Sequence, residues 1–348
     1  MTYTLFSQIN LSDTFFNSLR QSYAEFDDWF NKKARDGESA YVHHEQSGIL
    51  DAFLYLKIEN EVLTDVDPNL PIGVKVKVGT LKVNAHGTRL GERLIKKIFD
   101  YAVVNNADLA YVTVFNEHEA LIELLVRYGF VEHGVKVTAN GTEHVLVKDM
   151  RLVRNDLLLD YPLINTRGTN KYVLSIYPDF HTRLFPDSKL SNETYDIIRD
   201  ISATNSIHKT YICYMGDVVN LRINDIVLIY RTSDGLGPAR FRSVVTSICV
   251  VQEVLTRASF KNEDDYVEYC RRNSIFTEAE LRRLYRKNGS LFIIKMTYNA
   301  AFRRRVTNGA LIDTVGISPD YWGFFRVSDQ QFNQIINLGG VYENIIVD

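Results

Sequence analysis

The stretch LKVNAHGTRLGERLIKKIF, residues 81–99, constrains this chain more than any other, because strand, turn and helix follow one another with no spacer. It opens as a strand, turns through Gly87 and Gly91, and closes as an amphipathic helix. A helix N-terminus has unpaired amide N–H groups and partial positive charge, so glycines that allow close approach make it a ready anion site. Arg89 stands within that turn, where a further glycine would be expected.

The flanking sequence supplies the context. YTLFSQINL reads as a strand and SDTFFNSLRQSYAEFDDWFNKKARDG as one long helix ending at Gly37. Strand-like runs follow in SAYVHHE, ILDAFLYLKIENEV and VKVKVGTLKVN, the last alternating Val74, Val76 and Val78 on one face. After the central helix, LAYVTVFN reads as a buried strand and EHEALIELLVRYG as a helix stopped by Gly129. FVEHGVKVTANGTEHVLVKDM closes the region as a hairpin around NGT. The predicted order is β-α-β-β-β-α-β-α-β-β.

A chain of 348 residues suits two domains. Residues 153–170 end in a Gly/Thr/Asn-rich segment and are expected to link a domain of residues 1–152 to one of residues 171–348. The second is built of short β-branched and aromatic runs, the pattern of a small barrel or curled sheet. A helical insertion interrupts it, with the capping-box form Thr277-x-x-Glu280. The tail helix VSDQQFNQIINLGG is capped by Ser328 or Asp329.

The element order, LKVNAHGTRLGERLIKKIF and VTVFNEHEALIELLVRYGFVEHG together resemble the GNAT superfamily of N-acetyltransferases over about residues 1–150. The family's turn pattern places its leading Arg/Gln at His86 and its central Gly at Arg89. The resemblance implies that backbone at His86, Gly87, Thr88, Arg89, Leu90, Gly91 and Glu92 wraps the pyrophosphate of acetyl-CoA. It also implies that Leu81, Lys82 and Val83 splay from their strand to bond the pantetheine arm and the acetyl carbonyl, stabilising the oxyanion. The family's usual Tyr acid falls at Leu125, with Tyr128 directly before Gly129. Asn116 and His118 are left as candidates to face the thiol, or as helix caps. Glu61 and His44 are candidate bases, beside Glu59 and His43.

KYVLSIYPDF, NDIVLIY and SVVTSICVVQEV resemble PUA-like barrels of the ASCH and EVE type, over about residues 170–340. The fold class implied is α+β, a GNAT-like mixed sheet flanked by helices followed by a PUA-like small β-barrel with a helical insertion. This second resemblance implies RNA or modified-base binding. Bases are read by aromatic stacking beside cationic donors, which nominates Tyr177, Tyr230, Trp322, Arg231, Arg240 and Arg242. The same aromatic residues would equally serve a barrel core.

Charge and cysteine content narrow the partners. Residues 271–305 hold ten basic residues against two acidic ones, a belt that either attracts nucleic acid or forms a solvated helix face. Cys213, Cys249 and Cys270 are far apart and outside any C-x-x-C pattern, so buried thiols are expected rather than disulfides or a zinc site. No metal is expected, since adjacent His43 and His44 on a strand point to opposite faces. There is neither a signal-peptide pattern nor a membrane-length apolar run, so a cytoplasmic protein, monomeric or homodimeric, is expected.

The function that follows is acetyl transfer from acetyl-CoA to an amine, directly and in a ternary complex. The acceptor is expected to be RNA-linked, in RNA modification or in a toxin or defence role. The alternatives are a CoA-sensing nucleic-acid-binding protein and a protein-modifying acetyltransferase.

Overall fold

The computed structural model describes residues 1–45, 48–84, 87–188, 190 and 201–348. They divide into two units, Met1–Tyr161 and Pro162–Asp348.

The first unit opens with β1 (Thr2–Leu5), α1 (Asn17–Ser22) and α2 (Phe26–Arg35), then β2 (Ser39–His44), β3 (Leu50–Glu59) and β4 (Lys75–Val83). Helix α3 (Leu90–Val104) leads to β5 (Leu109–Val114), and α4 (Glu119–Arg127) to the hairpin β6 (Val131–Thr138) and β7 (Gly141–Asp149). This is the order read from the sequence, except that two helices stand where one is expected between β1 and β2. The strands form one sheet in the order β1-β2-β3-β4-β5-β7-β6. All its pairs are antiparallel except β4 with β5. A helical crossover is what a parallel pair requires, and α3 provides it by burying Leu90, Leu94, Ile95, Ile98, Phe99 and Ala102 along one face. Each large apolar side chain so buried contributes about 1.5–3 kcal/mol.

The long N-terminal helix of the sequence reading is broken. A 3-10 turn at Thr14–Phe16 precedes α1, which ends where Tyr23 adopts an extended conformation, and α2 restarts at Phe26. The break allows Phe16 and Phe30 to pack together on Phe53 of the sheet while Tyr23 turns to Phe115. Residues of the expected linker also take part in packing: Tyr161 is fully buried against Phe99 and Tyr128.

The second unit begins with β8 (Ile164–Asn165), β9 (Lys171–Ile176), α5 (Pro178–Leu184), α6 (Ser202–Asn205), β10 (His208–Cys213) and β11 (Ile226–Arg231). It continues through α7 (Ala239–Arg242), β12 (Val244–Thr256), α8 (Glu263–Arg271), α9 (Glu278–Arg286) and β13 (Phe292–Thr307). Helix α10 (Asn308–Asp313), β14 (Phe324–Val327), α11 (Asp329–Gly339) and β15 (Ile346–Val347) complete it. Its main sheet runs β10-β13-β12-β11-β9-β14, and β15 pairs with β8. No ladder joins β10 to β14 among the described residues. The insertion is α8 and α9, and both sides of the Thr277–Glu280 capping box are made, as they are for Ser328 and Gln331. The three cysteines are buried, and burial pushes Cys213 up to about 11 and Cys270 up to about 12. No helix of the described residues is long and apolar enough to cross a membrane.

Candidate functional site

The site of the first unit arises from a failure of pairing. Strands β4 and β5 pair in parallel from Lys75 with Leu109 to Val78 with Val112, and no further. Beyond Val78, β4 continues to Val83 still paired with β3, without a β5 partner among the described residues. The change of course coincides with a bulge: Leu56 pairs with Val78 and Tyr55 with Thr80, leaving Gly79 as the extra residue. A Cβ at Gly79 would lie 2.7 Å from Cδ1 of Tyr55, so glycine is what lets β4 bend there against β3.

The divergence opens a cavity of about 260 Å³. Gly79, Thr80 and Leu81 form one wall and Val112, Thr113 and Val114 another. Tyr23, Phe26 and Trp29 cover it from the α1–α2 break, and Thr138 and Asn140 border it from the β6–β7 turn. Backbone N–H and C=O groups released from a ladder at a cavity wall are obligatory hydrogen-bonding groups in need of partners. They suit an extended, amide-bearing ligand.

Two carboxylates that sequence reading did not single out line this cavity, exposed Glu25 and buried Glu143. Glu143 is only 4% exposed and accepts from the hydroxyls of Tyr23, at 2.9 Å, and Thr113, at 3.2 Å. Burial first, and the Glu143 carboxylate second, push the Tyr23 hydroxyl well above its ordinary pKa of 10.0, so it stays a donor. A signal was available: Glu143 falls in the apolar phase of β7, in step with Val145 and Val147.

The turn expected to meet an anion lies at the start of α3. Gly87 and Arg89 both have positive φ, 83° and 57°, and Arg89 occupies the N-cap of α3 in the left-handed region. That backbone explains why a glycine would serve at Arg89. Its guanidinium bonds Glu92 Oε1 at 3.0 Å, and the buried Glu92 also meets the fully buried Tyr128. Leu90 is buried, and a Cβ at Gly91 would lie 3.0 Å from Leu124, so the helix start packs closely on α4. His86 lies outside the described residues.

The other candidates scatter. His118 occupies the N-cap of α4 without a side-chain cap and lines the cavity. Asn116 is exposed in the preceding turn and does not line it. Glu61 and His44 are exposed and also lie outside the lining, Glu61 in the loop after β3 and His44 at the far end of β2. His43 bonds buried Asp51 at 2.8 Å; burial lowers its pKa, outweighing the carboxylate. Leu125 is buried, as is Tyr128, so neither position presents a hydroxyl to the cavity.

In the second unit, Tyr230 and Arg231 are buried on the central strand β11, between β9 and β12, rather than displayed at a surface. Tyr230 stacks on half-buried Trp322 at 5.6 Å between centroids, while Tyr177 is exposed. Arg240 pairs with Asp313, and Arg242 with Asp234 in the turn before α7. Four of the ten residues of the basic belt are paired with carboxylates. Arg282 and Arg286 share Glu263, and Arg271 and Arg272 share Glu268.

No family model matches the chain, and no curated protein does. Several solved structures are similar over part of the chain. ASCH from Zymomonas mobilis is similar at 9% identity and TM-score 0.35, over 49% of this chain and 95% of that one. The NatC complex bound to Gag peptide and CoA is similar at 16% identity and TM-score 0.29, over 42% of this chain and 96% of that one. A GNAT-family acetyltransferase from Listeria monocytogenes is similar at 15% identity and TM-score 0.26, over 42% and 94%.

Proposed function

We propose that the protein is an acetyl-CoA-dependent N-acetyltransferase whose reaction takes place in the cavity between β4 and β5. The observation that carries this reading is the loss of pairing after Val78 and Val112, which leaves main-chain groups of Gly79, Thr80 and Leu81 at a cavity wall. In this reading the pantetheine arm lies along Leu81, Lys82 and Val83 as an added strand, and the pyrophosphate meets the backbone from Gly87 to Glu92. A β4 N–H donates to the thioester oxygen and gains strength as charge develops there. The amine lone pair attacks the carbonyl carbon, the C–S bond breaks, and CoA departs as thiolate, with His118 at the cavity edge to supply a proton.

The acceptor of this proposal is an RNA-linked amine bound through the second unit, with exposed Tyr177 and Arg240 and half-buried Trp322 and Arg242 as contacts. Purified protein is incubated with labelled acetyl-CoA and, separately, bulk RNA and bulk protein. Label entering RNA supports the full reading, and label entering protein alone moves the acceptor to a polypeptide. Saturable CoA binding without transfer to any acceptor leaves a CoA-binding sensor. That second reading is favoured by Leu125, which has no hydroxyl, standing where a tyrosine acid is expected, and by the burial of Tyr128 outside the cavity lining.

A further inference from the structure

Two carboxylates line the cavity, and its own lysines do not pair with them. Glu143 and Glu25 both line it, and neither has a cationic partner among the described residues. Glu143 is held by the hydroxyls of Tyr23 and Thr113, and Glu25 by the amide of Asn140 at 2.9 Å. The lining cations are turned to other groups: Lys136 pairs with Asp65, and the Lys77 ammonium lies 5.7 Å from the centroid of the Tyr111 ring. Glu25 is exposed and Glu143 buried; neutral donors offset only part of the cost of burying the Glu143 carboxylate, and a cation entering the cavity would complete it. Trp29 and Phe26 complete the lining on this side with aromatic rings, which suit both an apolar stem and a cation.

From this cavity we infer that the acceptor is a primary ammonium carried on an apolar or aromatic stem, its charge set between Glu143 and Glu25 and its stem against Trp29 and Phe26. The inference rests on the reading of the cavity as an acyl-transfer site. It adds the fate of one proton: an N–H proton of R–NH3+ passes to a Glu143 oxygen, leaving R–NH2, whose lone pair forms the C–N bond. The tetrahedral nitrogen then loses its second proton to water as the thiolate leaves. Glu143 returns its proton to solvent before the next turnover.

The test uses the full chain and two probes of like shape, phenethylammonium and 2-phenylethanol, titrated by ligand-observed NMR with CoA present. CoA binding is measured separately by calorimetry. The ammonium should bind about tenfold or more tighter than the alcohol, the scale of a charged hydrogen bond. E143Q should bring the two probes level, with CoA affinity retained as the sign of an intact fold, and E25Q should narrow the gap less. Equal binding of both probes to the unaltered protein overturns the inference, as does an undiminished ammonium preference in E143Q. The comparison in the unaltered protein decides the matter even if E143Q does not fold. If CoA fails to bind while the ammonium preference holds, the acyl-transfer reading falls and the ammonium site stands.

Discussion

The Tyr23 hydroxyl donates to Glu143 Oε1 at 2.9 Å, joining two residues 120 positions apart across the mouth of the cavity. The bond exists because the N-terminal helix breaks at Tyr23 and because β7 turns Glu143 inward. It ties a covering segment to a strand of the sheet. Tyr23→Phe should therefore loosen this cover, lowering stability by about 1 kcal/mol and raising the acceptor KM more than it lowers kcat. Urea denaturation and steady-state kinetics check the two parts.

Arg89 stands in a left-handed conformation that costs a non-glycine residue about 1–2 kcal/mol, while its guanidinium reaches Glu92. Arg89→Gly and Arg89→Ala remove the same cation but differ in backbone freedom. Both should weaken CoA binding several-fold in calorimetry, and Arg89→Gly should be the more stable of the two on thermal denaturation. Unchanged CoA affinity in both variants would reduce Arg89 to a residue of the helix start.

Gly79 permits the bulge that parts β4 from β5. Gly79→Ala places a methyl group 2.7 Å from the Tyr55 ring, and relieving that overlap should cost about 1–3 kcal/mol. CoA affinity should fall with it, because the wall of the cavity moves. Denaturant titration beside calorimetry would report both effects.

His181 is fully buried in the second unit, its Nε2 at 2.7 Å from Thr246 Oγ1. Burial first, then the charges of Arg231 and Arg305, bring its pKa down to about 3 from an ordinary 6.5. The unfolded chain thus binds a proton that the folded one refuses. Stability from this group is intact above pH 6.5 and declines as pH falls from about 6.5 toward about 3, by at most about 1.4 kcal/mol per unit. Denaturation midpoints measured from pH 7 to pH 4 should fall less steeply in His181→Gln than in the parent.

Arg240 and Arg242 are paired with Asp313 and Asp234, yet both side chains keep part of their surface in water. If they meet phosphate, replacing both by Ala should weaken RNA binding across sequences and lower its salt dependence by about two counterions. Filter binding at several salt concentrations gives the slope. An unchanged slope would place RNA elsewhere on the protein.

The sequence made the element order legible because its periodicities are local: α3 repeats apolar residues at helical spacing and β4 alternates Val76 with Val78. The NGT hairpin and the capping box at Thr277 were readable for the same reason. The break at Tyr23 was not, since tertiary packing of Phe16, Phe30 and Phe53 overrides a helix pattern that continues through it. Nor was the role of Gly79, which depends on register with β3. Glu143 becomes meaningful only when β7 lies beside β5 and under Tyr23. Exposed Glu61 and His44 attracted notice by residue type and chain position, which do not report distance from a cavity. Tyr230 and Arg231 resembled surface contacts because aromatic and basic residues in a β-rich segment look alike whether buried or displayed.

A crystal structure of the protein with acetyl-CoA would show whether acyl-CoA enters where β4 and β5 part. The thioester should lie between Leu81 and Val114, its oxygen accepting from a β4 amide, and the pyrophosphate against the backbone between Gly87 and Glu92. A cofactor bound elsewhere, or a cavity still empty at saturating acetyl-CoA, would contradict this.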